Sequence, residues 1–375
     1  MRSIEGSIFS HLDLAGKPEE DGNKDVASTE PLLVDTFIGL LENVAVLSFH
    51  NKDHLLFFRG QKREHPNQRG NSSFYPSIYR TEGKEKLKPE VLKTRFRLLD
   101  QASSLLIKSF EENSINDSIG ELKRRRLIQW SILQHYEVCD TPLLDVTQSL
   151  RVACSFALQK ADEFGYVYVF GFPYMTNRIS TNSEQEIVHV RLINICPPQA
   201  LRPYFQEASL VGTEEVTTDY DDRSDLDFKR RLIAKFRIPN SQAFWGSQGS
   251  FQEYLFPEND MIFSICGEIK AKLEEKNNIE AMFPGRWLNE YQFKDGRKNT
   301  EILEIRNGNE YHALNRHLFN LDSVSIDKEL GTIEFRKVGV GDDRKAFNWL
   351  KIVDENTYEG TETPGTTTVK YTRMD

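Results

Sequence analysis

The chain is poor in cysteine. Its 375 residues hold four, Cys139, Cys154, Cys196 and Cys266, with no C-x-x-C pair among them. Neither a disulfide framework nor a thiolate zinc site is indicated, and the thiols read as reduced. A positive surplus is also missing: 48 Lys+Arg against 57 Asp+Glu leave a net charge of −9. That is unlike a protein that coats duplex nucleic acid, whose non-specific affinity comes from neutralising phosphates. No stretch approaches the ~18 apolar residues of a membrane span. The opening MRSIEGSIFSHLDLAG lacks the basic start and apolar run of a signal peptide, so the expectation is a cytoplasmic chain with no membrane contact. There is no P-loop, GxSxG or GxGxxG, the GVGDD at Gly339 reading as a turn, and no repeat of fixed period. His50 and His54 stand four apart without an HExxH around them, so no metal site is expected.

What is there fits an ordinary folded protein of two or three domains, with 38% hydrophobic and 28% charged residues. Residues 1–30, with GKPEEDGNKDVAST at their heart, lack periodicity and read as a loosely ordered arm. Phe37, Leu40, Leu41, Val44 and Leu47 repeat at helical spacing, and HLLFFRG (His54 to Gly60) reads as a short buried strand. Two helices are predicted next, one from Pro89 and one from Glu121 to Tyr136, and a third from Ser149 to Ala161 with Ser149 as its cap. Gly165 to Phe172 and Glu186 to Ile195 read as strands, and RRLIAKFRI returns to a strand pattern after an acidic insertion at 213–227. A helix pattern resumes at Met261 to Lys276. From 277 to 375, short alternating segments such as TEILEIR, TIEFRKV and TTVKYTR, separated by tight turns, predict a small antiparallel β-barrel or sandwich domain. The fold class is α+β, with residues 31–276 as a mixed domain and 277–375 as an all-β accessory domain.

Two places carry chemistry. Arg59 ends a strand beside Gly60 and Gln61, where a planar guanidinium can fork onto a phosphate or carboxylate and a glycine lets a ligand approach the backbone. A structural Arg paired to an acid is the alternative. In Ile132 to Leu158, the polar residues His135, Asp140, Asp145, Thr147 and Ser149 lie between two apolar helices, where burial demands partners or a ligand. The competing reading is that Asp145, Thr147 and Ser149 only cap the following helix. The run Lys123 to Arg126 with Trp130 is of a kind that could touch nucleic acid, but a charge run on a helix is usually a solvated face, and it is read as one.

These stretches resemble the FRG domain family, named for its Phe-Arg-Gly. Phe58-Arg59-Gly60-Gln61, FYPSIYR (Phe74 to Arg80), the L-Q-H-Y run Leu133 to Tyr136, and T-P-L-L-D-x-T (Thr141 to Thr147) followed by A-C-S-F-A (Ala153 to Ala157) stand in the family's order. The likeness continues through INICPPQALRPYFQEASLVG (Ile193 to Gly212), FRIP (Phe236 to Pro239) and LFPEND (Leu255 to Asp260), covering about Asp35 to Lys276. There are departures from the family's Gly-x-Pro-Thr-Arg-Leu-Leu-Asp-Trp. Glu137 stands for the Gly, Pro142 for the Arg and Val146 for the Trp, and the loop is one residue longer.

The FRG domain is itself similar in motif order to ADP-ribosyltransferases, which have an early-strand Arg, a Ser/Thr-bearing strand and a late Gln or Glu. The resemblance implies Arg59, Gln61, His135, Asp145, Thr147 and Ser149 as ligand-binding residues. It implies Gln206, Glu207 or Glu253 as the catalytic group, the pairs in PYFQEAS and GSFQEYLFP competing for that place. If PYFQEAS is a strand, only one of Gln206 and Glu207 can face the site. The implied activity is that of an ADP-ribosyltransferase or NAD glycohydrolase, in the setting of a toxin or defence effector. NAD would be substrate rather than tightly bound cofactor, and the β domain would select a macromolecular target. The chemistry suits the residue types: a diphosphate for an Arg, and an oxocarbenium-like centre for a carboxylate. The other reading is a non-catalytic module that recognises a phosphorylated ligand, protein or nucleic acid.

Overall fold

A computed structural model describes residues 1–17, 26–67, 69–81, 87–115, 119–213, 223–249, 251–282, 285–306, 310–313, 318–327, 331–339, 345–354, 356–363 and 367–374. The chain divides into two compact units, Met1–Lys270 and Ala271–Asp375. The helix Met261–Met282 runs through both that division and the boundary expected at 277.

The first unit is α+β. Its strands are β1 (Leu32–Leu33), β2 (Leu55–Gln61), β3 (Leu144–Thr147), β4 (Phe164–Phe172), β5 (Ile179–Asn182), β6 (Ile187–Arg191), β7 (Ala208–Thr213) and β8 (Leu232–Pro239). They form one sheet in the order β1-β8-β4-β2-β3-β7-β6-β5. The short β1 pairs parallel with β8, and the other pairs are antiparallel. The helices are α1 (His11–Leu14), α2 (Phe37–His50), α3 (Pro89–Glu112), α4 (Ile119–Leu122), α5 (Arg126–His135), α6 (Leu150–Leu158), α7 (Arg202–Phe205), α8 (Gln242–Trp245) and α9 (Met261–Met282).

Helix α2 starts where the Thr36 hydroxyl accepts from the Gly39 N–H, and it buries Phe37, Leu40, Val44 and Leu47 at the expected spacing. These residues join α6 and the sheet residues Phe58, Val167, Val169 and Phe236 in one core cluster. A second cluster gathers Phe57, Leu144, Val146, Tyr168, Phe170, Phe172, Ile187 and Val211, so that β2 and β4 give alternate residues to the two clusters. The sheet is therefore covered on both faces.

Gly60 has a different reason from the one its place in the sequence suggests. A Cβ there would lie 1.8 Å from the Ala153 carbonyl oxygen and 2.6 Å from the Ala157 nitrogen. The missing side chain lets β2 press against the backbone of α6, and Gly165 on β4 meets Ala157 in the same way, at 2.3 Å from its carbonyl oxygen.

Several expectations are corrected. Residues 1–17 and 26–30 are no loose arm: Met1, Val26 and Ala27 join the second core cluster, and the Arg2 and Ile4 amides donate to the Gln185 and Arg230 carbonyls. The charged heart of that segment lies largely outside the described residues, as does most of the acidic insertion. Of the insertion's described end, Asp227 is buried, accepting from the Phe74 and Lys229 amides. The helix expected from Glu121 to Tyr136 breaks into α4 and α5 at the cationic run, and Trp130 is buried away from the exposed charges. Leu41 of α2 is exposed.

The second unit resolves the barrel-or-sandwich choice. Strands β9 (Gly285–Gln292), β10 (Lys298–Arg306), β11 (Glu310–Ala313), β12 (Leu318–Asp327), β13 (Thr332–Gly339), β14 (Lys345–Asp354), β15 (Thr357–Thr363) and β16 (Thr367–Arg373) form a closed antiparallel barrel. Each pairs with its neighbour in sequence, and β16 closes onto β9. Its core holds Trp287, Leu303, Ile333, Phe335, Leu350, Tyr358, Val369 and Tyr371, as alternation along half-buried strands requires. Among the described residues, no helix is long and apolar enough to cross a membrane.

Candidate functional site

The site begins as a split in the sheet. Strand β2 pairs with β4 along all seven of its residues, Leu55 to Gln61, and β3 pairs with β7 from Leu144 to Thr147. Between them β2 and β3 share one rung, Phe58↔Thr147. Beyond that rung the strands part, and the Arg59 side chain crosses the gap, its Nη1 donating to the Asp145 carbonyl oxygen at 2.6 Å. A side chain thus takes a main-chain acceptor that a continuous ladder would have paired.

The split opens into a cleft of about 270 Å³, walled by β2 (Phe58, Arg59, Gly60), β3 (Asp145, Val146, Thr147), the end of α5 (Gln134, His135, Glu137), α6 (Ala153, Phe156), and Arg202, Gln206 and Ala208. Helix α5 ends in a Schellman turn: the Val138 amide donates to the Leu133 carbonyl and the Glu137 amide to that of Gln134. Glu137 takes the left-handed position of that turn, φ 56°. Glycine is the residue suited to this conformation, which explains why the resembling family has Gly there.

Asp145 is the hub. Its Oδ2 accepts from Gln134 Nε2 at 2.8 Å, and its Oδ1 lies 3.3 Å from His135 Nδ1. Gln134 is fixed in turn by the Thr141 hydroxyl, which donates to its Oε1. Burial raises the Asp145 pKa, but the hydrogen bonds from His135 and Gln134, with the charge of Arg59, outweigh it and hold the carboxyl below its usual range. An ionised Asp145 keeps the hydrogen of His135 on Nδ1. Nε2 is left buried at the cleft wall without a hydrogen-bond partner. Arg59 has its pKa lowered to about 10 by burial and by repulsion from Arg80, so it is still a cation at neutral pH, and its Nε is likewise buried and unpartnered.

Arg202 also lines the cleft. Its guanidinium lies over the Phe256 and Tyr136 rings, at 4.8 and 5.8 Å. Its amide donates to Asp260 Oδ2 at 2.7 Å, an oxygen that also accepts from the Tyr136 hydroxyl. Its Nη2 meets Glu137 Oε1 at 2.7 Å.

The structure therefore brings Arg59, His135, Asp145, Thr147 and Gln206 to one cleft, although the chain separates Arg59 from Gln206 by well over a hundred residues. Gln206 is held by donation from its Nε2 to the Leu255 carbonyl. The Thr147 hydroxyl is committed, donating to the Glu207 carbonyl and accepting from the Ser149 amide. Four expected residues fall outside the lining. Gln61 ends β2 with its buried Oε1 unpartnered, and Ser149 stands at the N-cap of α6 with no side-chain cap bond. Glu207, φ 43°, follows α7 in a turn rather than a strand and sends its carboxylate out to Arg151, 3.3 Å away. Glu253 is exposed on the turn Gln252–Leu255. Gln134, Glu137 and Arg202 were missed. The first and last lie inside motifs singled out in the sequence, and Glu137 is itself the departure from the family's glycine.

The class is α+β, with a sheet split between β2 and β3 and a cleft lined by two arginines and two carboxylates. The FRG domain model matches residues 54–165, from β2 through α6 to the start of β4, the stretch that supplies most of the cleft wall. No curated protein matches the chain. Among solved structures a redesigned β barrel is similar over 26% of this chain and 95% of its own, at 14% identity and a TM-score of 0.19, a likeness too slight to carry an argument.

Proposed function

We propose that the cleft binds a phosphate-bearing nucleotide, NAD or a relative, and that the protein cleaves NAD as a glycohydrolase or ADP-ribosyltransferase. The observation that carries this reading is the convergence on one cleft of Arg59 and of the His135–Asp145 pair, each with a buried nitrogen unpartnered. Buried polar atoms without partners are costly, and a ligand's phosphate or sugar oxygens are suited to satisfy them. Arg59 supplies the charge for a phosphate. In the chemical step the bond from the ribose C1′ to the nicotinamide nitrogen breaks, and nicotinamide leaves with the electron pair. The oxygen of a water or acceptor hydroxyl bonds to C1′, and its proton passes to His135 Nε2. The ionised Asp145 keeps the ring oriented and stabilises the imidazolium that forms.

The second reading, a non-catalytic module for a phosphorylated ligand, is favoured by the positions of Glu207 and Glu253, since neither glutamate lines the cleft. Incubation of the full chain with NAD labelled on each half separates the two. Release of nicotinamide, or transfer of labelled ADP-ribose to an acceptor, is the expected result. Binding of NAD or ADP-ribose by calorimetry with neither release nor transfer would establish the recognition module instead.

A further inference from the structure

Arg202 and Glu137 are unequal partners. The Arg202 side chain is 7% exposed and that of Glu137 is 71% exposed. Arg202 is fixed by the Phe256 and Tyr136 rings and by its amide bond to Asp260, whereas Glu137 reaches it from a left-handed turn at the cleft mouth. Moving Glu137 to a solvent-facing rotamer would bury nothing and expose little. It would leave the guanidinium without its carboxylate, and Arg202 Nε is already buried without a hydrogen-bond partner. A buried cation so held is a preorganised anion site, and the carboxylate on it is the kind of partner that an incoming anion replaces.

We propose that Arg202 is a second anion subsite of the cleft, covered by Glu137, and that a diphosphate displaces the glutamate to bind there while its other phosphate meets Arg59. This rests on the phosphate-binding reading of the cleft, not on NAD cleavage. Both guanidiniums line the same 270 Å³ space, so one ligand of that size meets both. Glu137 then acts as a charge filter: a neutral sugar or base has nothing to offer Arg202 in exchange, while a diphosphate replaces one carboxylate by more negative charge and further acceptor oxygens. The glutamate that stands where the resembling family has glycine would make this chain demand a more highly charged ligand.

Calorimetric titration of the full chain with inorganic pyrophosphate tests this independently of any turnover. Glu137→Gln keeps size and turn while removing the charge, and Glu137→Gly removes both charge and strain. Each is expected to tighten pyrophosphate binding by about tenfold, the scale of one charged contact. Glu163→Gln, the same charge change at an exposed position outside the cleft, is expected to change it by less than about twofold. Unchanged affinity in both Glu137 variants would overturn the proposal, as would equal tightening in Glu163→Gln or no pyrophosphate binding by any of the chains. Because inorganic pyrophosphate has no glycosidic bond, loss of this proposal leaves the NAD-cleavage test standing, and loss of NAD cleavage leaves this one standing.

Discussion

Two buried arginines and two buried histidines of the first unit differ in what their nitrogens do. Away from the cleft lining, Arg231 gives its Nε to the Gly171 carbonyl at 2.8 Å and its Nη1 to Gln185 Oε1 at 2.9 Å. His189 packs against Phe57 with the rings tilted at 68° and their centroids 5.1 Å apart. In the cleft, Arg59 commits Nη1 to a carbonyl and His135 commits Nδ1 to a carboxylate, and each keeps one buried nitrogen unpartnered beside open space. Burial lowers the pKa of both guanidiniums to about 10. Electrostatics alone cannot tell scaffold from site here. Hydrogen-bond accounting can for the arginines, but for the histidines only together with the cleft, since both nitrogens of His189 are also unpartnered.

The histidines give the widest expected contrast. His135→Gln should lower the rate of NAD cleavage by about 10²–10⁴-fold, the usual worth of a positioned general base, without loss of the folded state. His189→Gln should leave the rate per folded molecule unchanged. A rate in His135→Gln equal to wild type would remove the base from the reading and leave recognition. Next come the arginines. Arg231→Met loses two charge-assisted hydrogen bonds in a fully buried place and should cost about 3 kcal/mol, seen as a lower Tm. Arg59→Lys keeps the cation but loses the planar fork, so nucleotide or pyrophosphate affinity should fall about tenfold or more while stability changes by less than about 1 kcal/mol. If Arg59→Lys instead melts as early as Arg231→Met and its folded fraction binds normally, Arg59 belongs to the scaffold.

The smallest effect is in the acid limb. Burial, with Arg191 nearby, lowers the His189 pKa from 6.5 to about 4. The unfolded chain therefore takes up a proton below pH 6.5 that the folded chain refuses. Stability from this group is complete above pH 6.5 and declines as pH falls toward 4, by up to about 1.4 kcal/mol per pH unit. His189→Phe should flatten that part of a plot of Tm against pH. An unchanged slope would place the proton uptake elsewhere, for example at His11, whose pKa burial also lowers.

The periodic parts of the molecule were legible in the sequence. The spacing of Phe37, Leu40, Val44 and Leu47, the strand that carries Arg59, and the alternation beyond residue 285 all correspond to elements of the structure. The ordered polar residues around His135 and Asp145 led to the cleft because burial of such groups demands partners. What the sequence hid was tertiary. Glu207 and Glu253 carry the right chemistry, but a turn after α7 and a turn before α9 aim them at solvent. Arg202 acquires its role only when Phe256, Tyr136 and Asp260 meet around it. The N-terminal residues lack periodicity, yet Met1 and Ala27 are held by the sheet they reach.

The lone rung between β2 and β3 has a mechanical consequence. A zipper stopped at its first tooth is stiff at that tooth and yielding beyond it, while β4 on one side and β7 on the other keep each half straight. The gap is spanned by a side chain rather than by a ladder, so its width is set by the reach of Arg59. A ligand that draws the guanidinium toward itself would pull on the Asp145 carbonyl, and through it on the strand that carries the hub of the site. Grip at one end and alignment at the other would then be a single movement.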